Sequence, residues 1–135
     1  MPNQAQLAAA QQKICTQYGS AFVPLRPDDT VAIALDSIGL QPIAGRREVK
    51  LSHDPNEITW FIYCGEYLDD DDFFRPVHVS HLAEMLPEVL PYLALSEGFR
   101  FVIDNDGYED VWCFIADYSE LNLNQDKAAS RRQYR

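Results

Sequence analysis

Basic residues are scarce in this sequence. Eleven lysines and arginines stand against 21 aspartates and glutamates, a formal net charge of −10. That shortage excludes two large partner classes, because nucleic acids and anionic membranes are both bound through a cationic surface. Cysteine is scarce too: Cys15, Cys64 and Cys113 are odd in number, widely spaced and form no C-x-x-C pair. A disulfide framework is therefore not expected, and reduced, buried thiols are. No apolar run reaches the length of a membrane span. The N-terminal stretch MPNQAQLAAAQQKIC lacks the basic flank and long apolar segment of a secretory signal. Together these absences predict a cytoplasmic protein. Also missing are a nucleophile elbow, a P-loop, a Gly-rich dinucleotide fingerprint and an HExxH pair. The expectation is a protein without cofactor or resident metal that binds a partner and is not an enzyme.

What is present is enough for one folded domain. The chain has 135 residues, 47% of them hydrophobic, with 7 Phe, 7 Tyr and 2 Trp. Helical spacing of Leu7, Gln11, Ile14 and Tyr18 predicts an N-terminal helix, with Asn3 as N-cap and Gly19 just past the end. Pro24 and Pro27 then enforce an extended link. Val31–Leu35 reads as a strand covered on both sides or a short buried helical turn, and Ile58–Cys64, with its β-branched and aromatic alternation, as the strongest strand. Between them, residues 40–49 are ambiguous: Gly39, Pro42 and Gly45 make them loop-like, with room for a short strand. Ser80 can cap a second helix, whose apolar stripe is Leu82, Met85, Leu86, Val89, Leu90 and Leu93. Pro87 and Pro91 each remove a helical N–H, so that segment is expected to break.

FRFVID and EDVWCF flank Asp106-Gly107, the signature of a two-residue type I′ hairpin turn. That turn places Phe101 opposite Trp112, Phe99 opposite Phe114 and Val102 opposite Val111. Trp60 and Trp112 then read as core. The predicted fold is α+β: an antiparallel-rich sheet of four to five strands, against the N-terminal helix and the proline-broken helical segment. The domain is expected to span 1–117, and the polar, locally basic stretch 118–135 reads as a flexible C-terminal tail.

Candidate binding residues cluster in two acidic loops. One holds Glu66, Tyr67, Asp69, Asp70, Asp71 and Asp72, the other Asp104, Asp106, Tyr108, Glu109 and Asp110. The two-residue turn sets Asp104 opposite Glu109, and like charges so placed either splay into water or await a cation. Aromatic residues among the carboxylates favour a contact surface. A calcium loop does not fit DNDGYED: with Gly107 at the sixth EF-hand position, Val102 falls at the first and Cys113 at the twelfth. His78, His81 and Glu84 have spacing that zinc could use, but Pro76 and Ser80 interrupt helical geometry and no further ligand pair is present. The alternatives to a partner-binding protein are a small metal-dependent or acid/base enzyme centred on Glu66, His78 and His81, and a generic acidic interaction module.

The stretch from Ile58 to Trp112 resembles the immunity protein 33 domain family of bacterial polymorphic-toxin systems. The resemblance is carried in order by Trp60, Ile62, Gly65 and Glu66; by Asp72, Phe73, Phe74, Pro76, His78, Val79, His81 and Leu82; by Pro87, Leu90, Tyr92, Leu93 and Leu95; by Gly98, Arg100 and Phe101; and by Tyr108 to Trp112. QQKICTQYG and VAIALDSIG extend it upstream, so that it covers residues 10 to 115. Thr59 stands where the family pattern has Gly, and Phe99 where it has Trp. The resemblance implies an antitoxin that neutralises a cognate toxin by direct binding in the cytosol. A toxin with a basic contact surface would suit an acidic inhibitor.

Overall fold

The computed structural model describes residues 4–114; the expected N-cap Asn3 and the stretch 118–135 lie outside them. A helix, α1 (Gln4–Tyr18), leads into β1 (Thr30–Ile33), β2 (Ile43–Arg47), β3 (Trp60–Cys64) and β4 (Arg75–His78). A second helix, α2 (Val79–Met85), and a 3-10 segment, Pro87–Tyr92, precede the hairpin of β5 (Phe99–Ile103) and β6 (Glu109–Cys113). The strands form one six-stranded sheet in the order β4-β1-β3-β2-β5-β6. All neighbours are antiparallel except β1 and β3. The α+β expectation holds, but the sheet is larger than expected and mixed.

Strand β2, in the segment read as loop or short strand, and strand β4, which was not expected, carry residues that usually break strands. Gly45 sits inside β2 because the Phe101 ring lies where its Cβ would be. An aromatic cover on a neighbouring strand thus replaces the missing side chain. Pro76 sits in β4, an edge strand, where a missing N–H costs little. Helix α1 ends as its sequence suggests. Gly19 takes φ +74°, and the Ser20 and Gly19 N–H groups donate to the Cys15 and Thr16 carbonyls, a Schellman closure. Ser80 does not cap α2, which starts at Val79 with His78 in the N-cap position. The Val79 and Ser80 N–H groups are satisfied by the carbonyls of Asp29 and Pro27. The apolar stripe breaks at Pro87 as expected, and Pro87 opens the 3-10 segment.

Both helices and the 3-10 segment cover one face of the sheet, burying Val31, Ile33, Ile43, Trp60, Ile62, Leu82, Val89, Leu93, Phe99 and Phe101 in a single core. The Trp60 indole N–H donates to the Leu93 carbonyl at 3.1 Å, and Tyr92 stacks on Phe101 at 4.9 Å. Arg47 is 7% exposed yet charged. Its guanidinium donates to the carbonyls of Val23 (2.8 Å) and Leu95 (2.7 Å), tying the proline link and the segment before β5 to the sheet. Burial lowers its pKa, opposed by the fields of Glu97 and Asp29.

The other face carries a smaller cluster of Ala34, Ala44, Tyr63 and Val102, covered in part by Phe73, Phe74 and Trp112. Trp60 is core, whereas Trp112 is half-buried on this second face. The cause is the hairpin register. Phe101 pairs with Val111, Arg100 with Trp112 and Phe99 with Cys113, one residue away from the expected pairing. The Asp104 carboxylate accepts the N–H groups of Asp106 (2.9 Å) and Tyr108 (3.0 Å), and Gly107 takes φ +89°. The turn therefore holds three residues, Asn105, Asp106 and Gly107, instead of two. A one-residue slip sends each β6 side chain to the opposite face.

Candidate functional site

Strand register decides where the two acidic loops stand. Ile43, the first residue of β2, pairs with both Cys64 and Ile103, the last residues of β3 and β5. Loop 65–74 and turn 104–108 therefore leave the sheet at the same end, about 10 Å apart across β2. Loop 34–42, after β1, joins them there, because β1 runs parallel to β3. The three segments are interlocked. The Gly65 N–H donates to the Pro42 carbonyl at 2.7 Å, and the Asn105 N–H donates to the Gln41 side chain at 3.1 Å. A Cβ at Gly65 would stand 2.9 Å from the Leu40 Cβ, so the leucine rests on the glycine, whose φ is +72°.

This end of the molecule holds Asp36, Glu66, Asp69 to Asp72, Asp104 and Asp106, with no lysine or arginine in any of the three segments. Glu66 and Asp69 to Asp72 are exposed, and among the described residues no ion pair reaches them. Asp70 folds its own loop, accepting the Asp72 N–H at 3.0 Å while its carbonyl accepts that of Phe73. Beneath the acids lies an aromatic platform. Tyr67 meets Tyr63 and Phe73 edge-on at 5.6 and 5.5 Å, and Phe73 meets Phe74 at 4.9 Å. Arg46, paired to Glu48 at 2.9 Å, lies over Phe61 and Phe74. Aromatic packing of this kind holds the loop against the sheet without using its carboxylates.

The sequence-derived site residues divide. Glu66, Tyr67, Asp69, Asp70, Asp71 and Asp72 share this end with Asp104, Asp106 and Tyr108. Asp110 stands opposite Val102, on the sheet face of Arg100 and Trp112. Glu109 does not oppose Asp104; it pairs with Ile103 and turns to the helix side. There its carboxylate accepts the hydroxyls of both Tyr18 and Tyr92, fastening α1 and the 3-10 segment to the edge of the sheet. Burial, reinforced by donation to Glu109 and by its charge, pushes the Tyr18 hydroxyl up to about 12 and raises that of Tyr92 as well. The like-charge pair expected from the two-residue turn is replaced by an Asp104–Tyr108 pairing, with the Asp104 N–H bonded to the Tyr108 carbonyl at 3.2 Å.

Sequence reasoning passed over Leu40, Gln41 and Leu68. Leu40 and Leu68 are 55% and 54% exposed. A leucine between Gly39 and Pro42, and another between Tyr67 and an aspartate run, are apolar residues in segments with no strand or helix to bury them. That is the available signal.

The acid/base arrangement of Glu66 with His78 is not assembled. Glu66 follows the C-terminal end of β3, whereas His78 pairs with Thr30 at the opposite end of the sheet. The rings of His78 and His81 are 5.9 Å apart beside a cleft of about 530 Å³ that Glu84 also lines. Among the described residues no group of three or more His, Cys, Asp or Glu side chains is placed to hold a metal ion.

With this geometry in place, comparison with known families is decisive. The family model of the Imm33-like domain matches residues 10–113. The chain belongs to the Imm33-like family. Membership agrees with the ordered motifs from Trp60 to Trp112, and the matched span runs from within α1 to the end of β6. No curated protein and no solved structure matches the chain. Among the described residues no helix is long and apolar enough to cross a membrane.

Proposed function

We propose that this protein is an antitoxin of a bacterial polymorphic-toxin system, which neutralises its cognate toxin in the cytoplasm by direct binding through the acidic end of the sheet. Family membership supports the immunity role in general. One observation carries the choice of surface: loop 65–74 and turn 104–108 project together from one end, without a single basic residue in either. Such an end attracts a basic protein surface over long range and repels nucleic acid and anionic lipid. Because the loops are fastened by backbone bonds, aromatic packing and the carboxylates of Asp70 and Asp104, the remaining carboxylates are presented at little ordering cost. Glu66, Asp69, Asp71 and Asp72 are the principal contacts in this reading, with Asp106 and Tyr108 across β2. Glu109 serves the fold.

The test is co-expression with the toxin encoded beside the gene, followed by association kinetics of the purified pair. The wild-type chain should restore growth and bind faster as salt is lowered. Replacing Asp69 to Asp72 together by Asn should slow low-salt association by about tenfold or more. Binding of that variant at the wild-type rate would remove the loop from the interface; failure of the wild-type chain to bind would remove the antitoxin reading itself.

A further inference from the structure

The acidic end also exposes apolar side chains. Leu40, Tyr67 and Leu68 are 55%, 47% and 54% exposed, and all three stand among the carboxylates. A single exposed leucine is ordinary, but exposed apolar side chains grouped on one surface can serve as a contact site. Leu40 is pinned over Gly65, and the Tyr67 ring is held by Tyr63 and Phe73. Both are therefore presented in fixed positions. Next to them opens a groove of about 670 Å³ on the second sheet face, lined by Ala44, Val102, Tyr67 and Glu66 together with Arg46 and Arg100.

We infer that Leu40, Tyr67 and Leu68 form the apolar anchor of the partner interface, and that the acids around them are its rim. The inference rests on the antitoxin reading and divides the labour within that surface. The occupant is a protein surface that presents an apolar side chain ringed by lysine or arginine. Charge complementarity selects it: a second copy of this chain would bring two anionic rims together, and a neutral apolar surface would leave the carboxylates facing no cation. Apolar anchors at the desolvated centre of an interface govern how long a complex lasts, while rim charges govern how fast it forms.

The experiment measures association and dissociation of the purified chain with the toxin encoded beside its gene, for wild type, Leu40→Ser, Leu68→Ser and the double variant. Each single change should raise the dissociation rate by about tenfold, and the double change further, while association stays within about twofold of wild type. Leu68 belongs to neither hydrophobic cluster, so Leu68→Ser should melt with the wild type. If Leu40→Ser lowers the melting temperature, Leu68→Ser alone decides. A dissociation rate for Leu68→Ser within about twofold of wild type overturns the anchor. A wild-type chain that does not bind overturns both this inference and the antitoxin reading, and the two failures are thereby distinct.

Discussion

The two ends of the sheet are built from the same residue types and use them differently. At the end where β2 passes to β3, acids are consumed by the fold. Glu57 accepts the N–H groups of Leu51 (2.8 Å) and Ser52 (2.9 Å), Glu97 accepts that of Lys50 (2.9 Å), and Asp29 accepts from the Arg26 backbone and guanidinium. At the other end, backbone bonds, aromatic rings and the carboxylates of Asp70 and Asp104 fasten the loops, and those of Glu66, Asp69, Asp71 and Asp72 take no part in that fastening. A bulk charge of −10 hides this division. Carboxylates that a fold does not need are the ones it can offer to a partner.

The contrast is largest where a charge is fully absorbed by the structure. Arg47→Ala leaves the Val23 and Leu95 carbonyls without their donor and opens a void beside Trp60. The expected loss is about 3 kcal/mol in denaturant unfolding. Arg47→Lys should recover only part of it, because an ammonium lacks the planar fork that reaches both carbonyls. A loss no larger than that of an exposed arginine such as Arg26 would mean that the guanidinium is not the tie between these segments.

Glu109 comes next. Glu109→Ala removes the acceptor of two tyrosine hydroxyls and should cost about 1–2 kcal/mol. It also predicts a pH signature. The folded Tyr18 pKa lies above its ordinary value of 10.0, at about 12. The stabilisation is therefore fully present below pH 10 and is lost as pH rises from 10 towards 12. Wild-type stability should fall across that window more steeply than that of Glu109→Ala. Parallel slopes would show that the clamp is not formed.

Much of this arrangement is legible in the sequence, and the illegible parts have physical causes. The α1 stripe, the β3 alternation and the break at Pro87 are local patterns, and they appear where their spacing puts them. Strand β2 is ambiguous and β4 escapes, because Gly45 and Pro76 carry turn signals that only tertiary context reverses, an aromatic ring in one case and a sheet edge in the other. The hairpin shows a subtler limit. Asp106-Gly107 does mark a turn, but the Asp104 side chain lengthens it by one residue. That single residue moves Glu109 from the candidate site to the helix side and Trp112 from the core to the second face. Both acidic loops are readable as loops; that they share one end depends on the place of β2 between β3 and β5, which no local pattern encodes.

The smallest expected effect on stability is the sharpest test of the contrast between the ends. When Asp69 to Asp72 are all replaced by Asn, the amide oxygen that takes the place of the Asp70 carboxylate can still accept the Asx-turn hydrogen bond. Among the described residues no ion pair is lost. The melting temperature of this variant should stay within about 2 °C of wild type. The matched change at the other end, Glu57→Ala, removes the acceptor of the Leu51 and Ser52 amides, and hydrogen exchange at those two should quicken. Acid gives the same answer without mutation. The backbone hydrogen bond from Leu51 and the Ser52 hydroxyl hold the Glu57 carboxyl below its ordinary value of 4.5. Its contribution is therefore present above pH 4.5 and is lost as pH falls through the lowered folded value. Amides 51 and 52 should open over that range in the wild type and be open throughout in Glu57→Ala. If neutralising the aspartates instead destabilised the fold as much as losing Glu57, the acids of the two ends would have the same role, and the surface proposed for the partner would lose its basis.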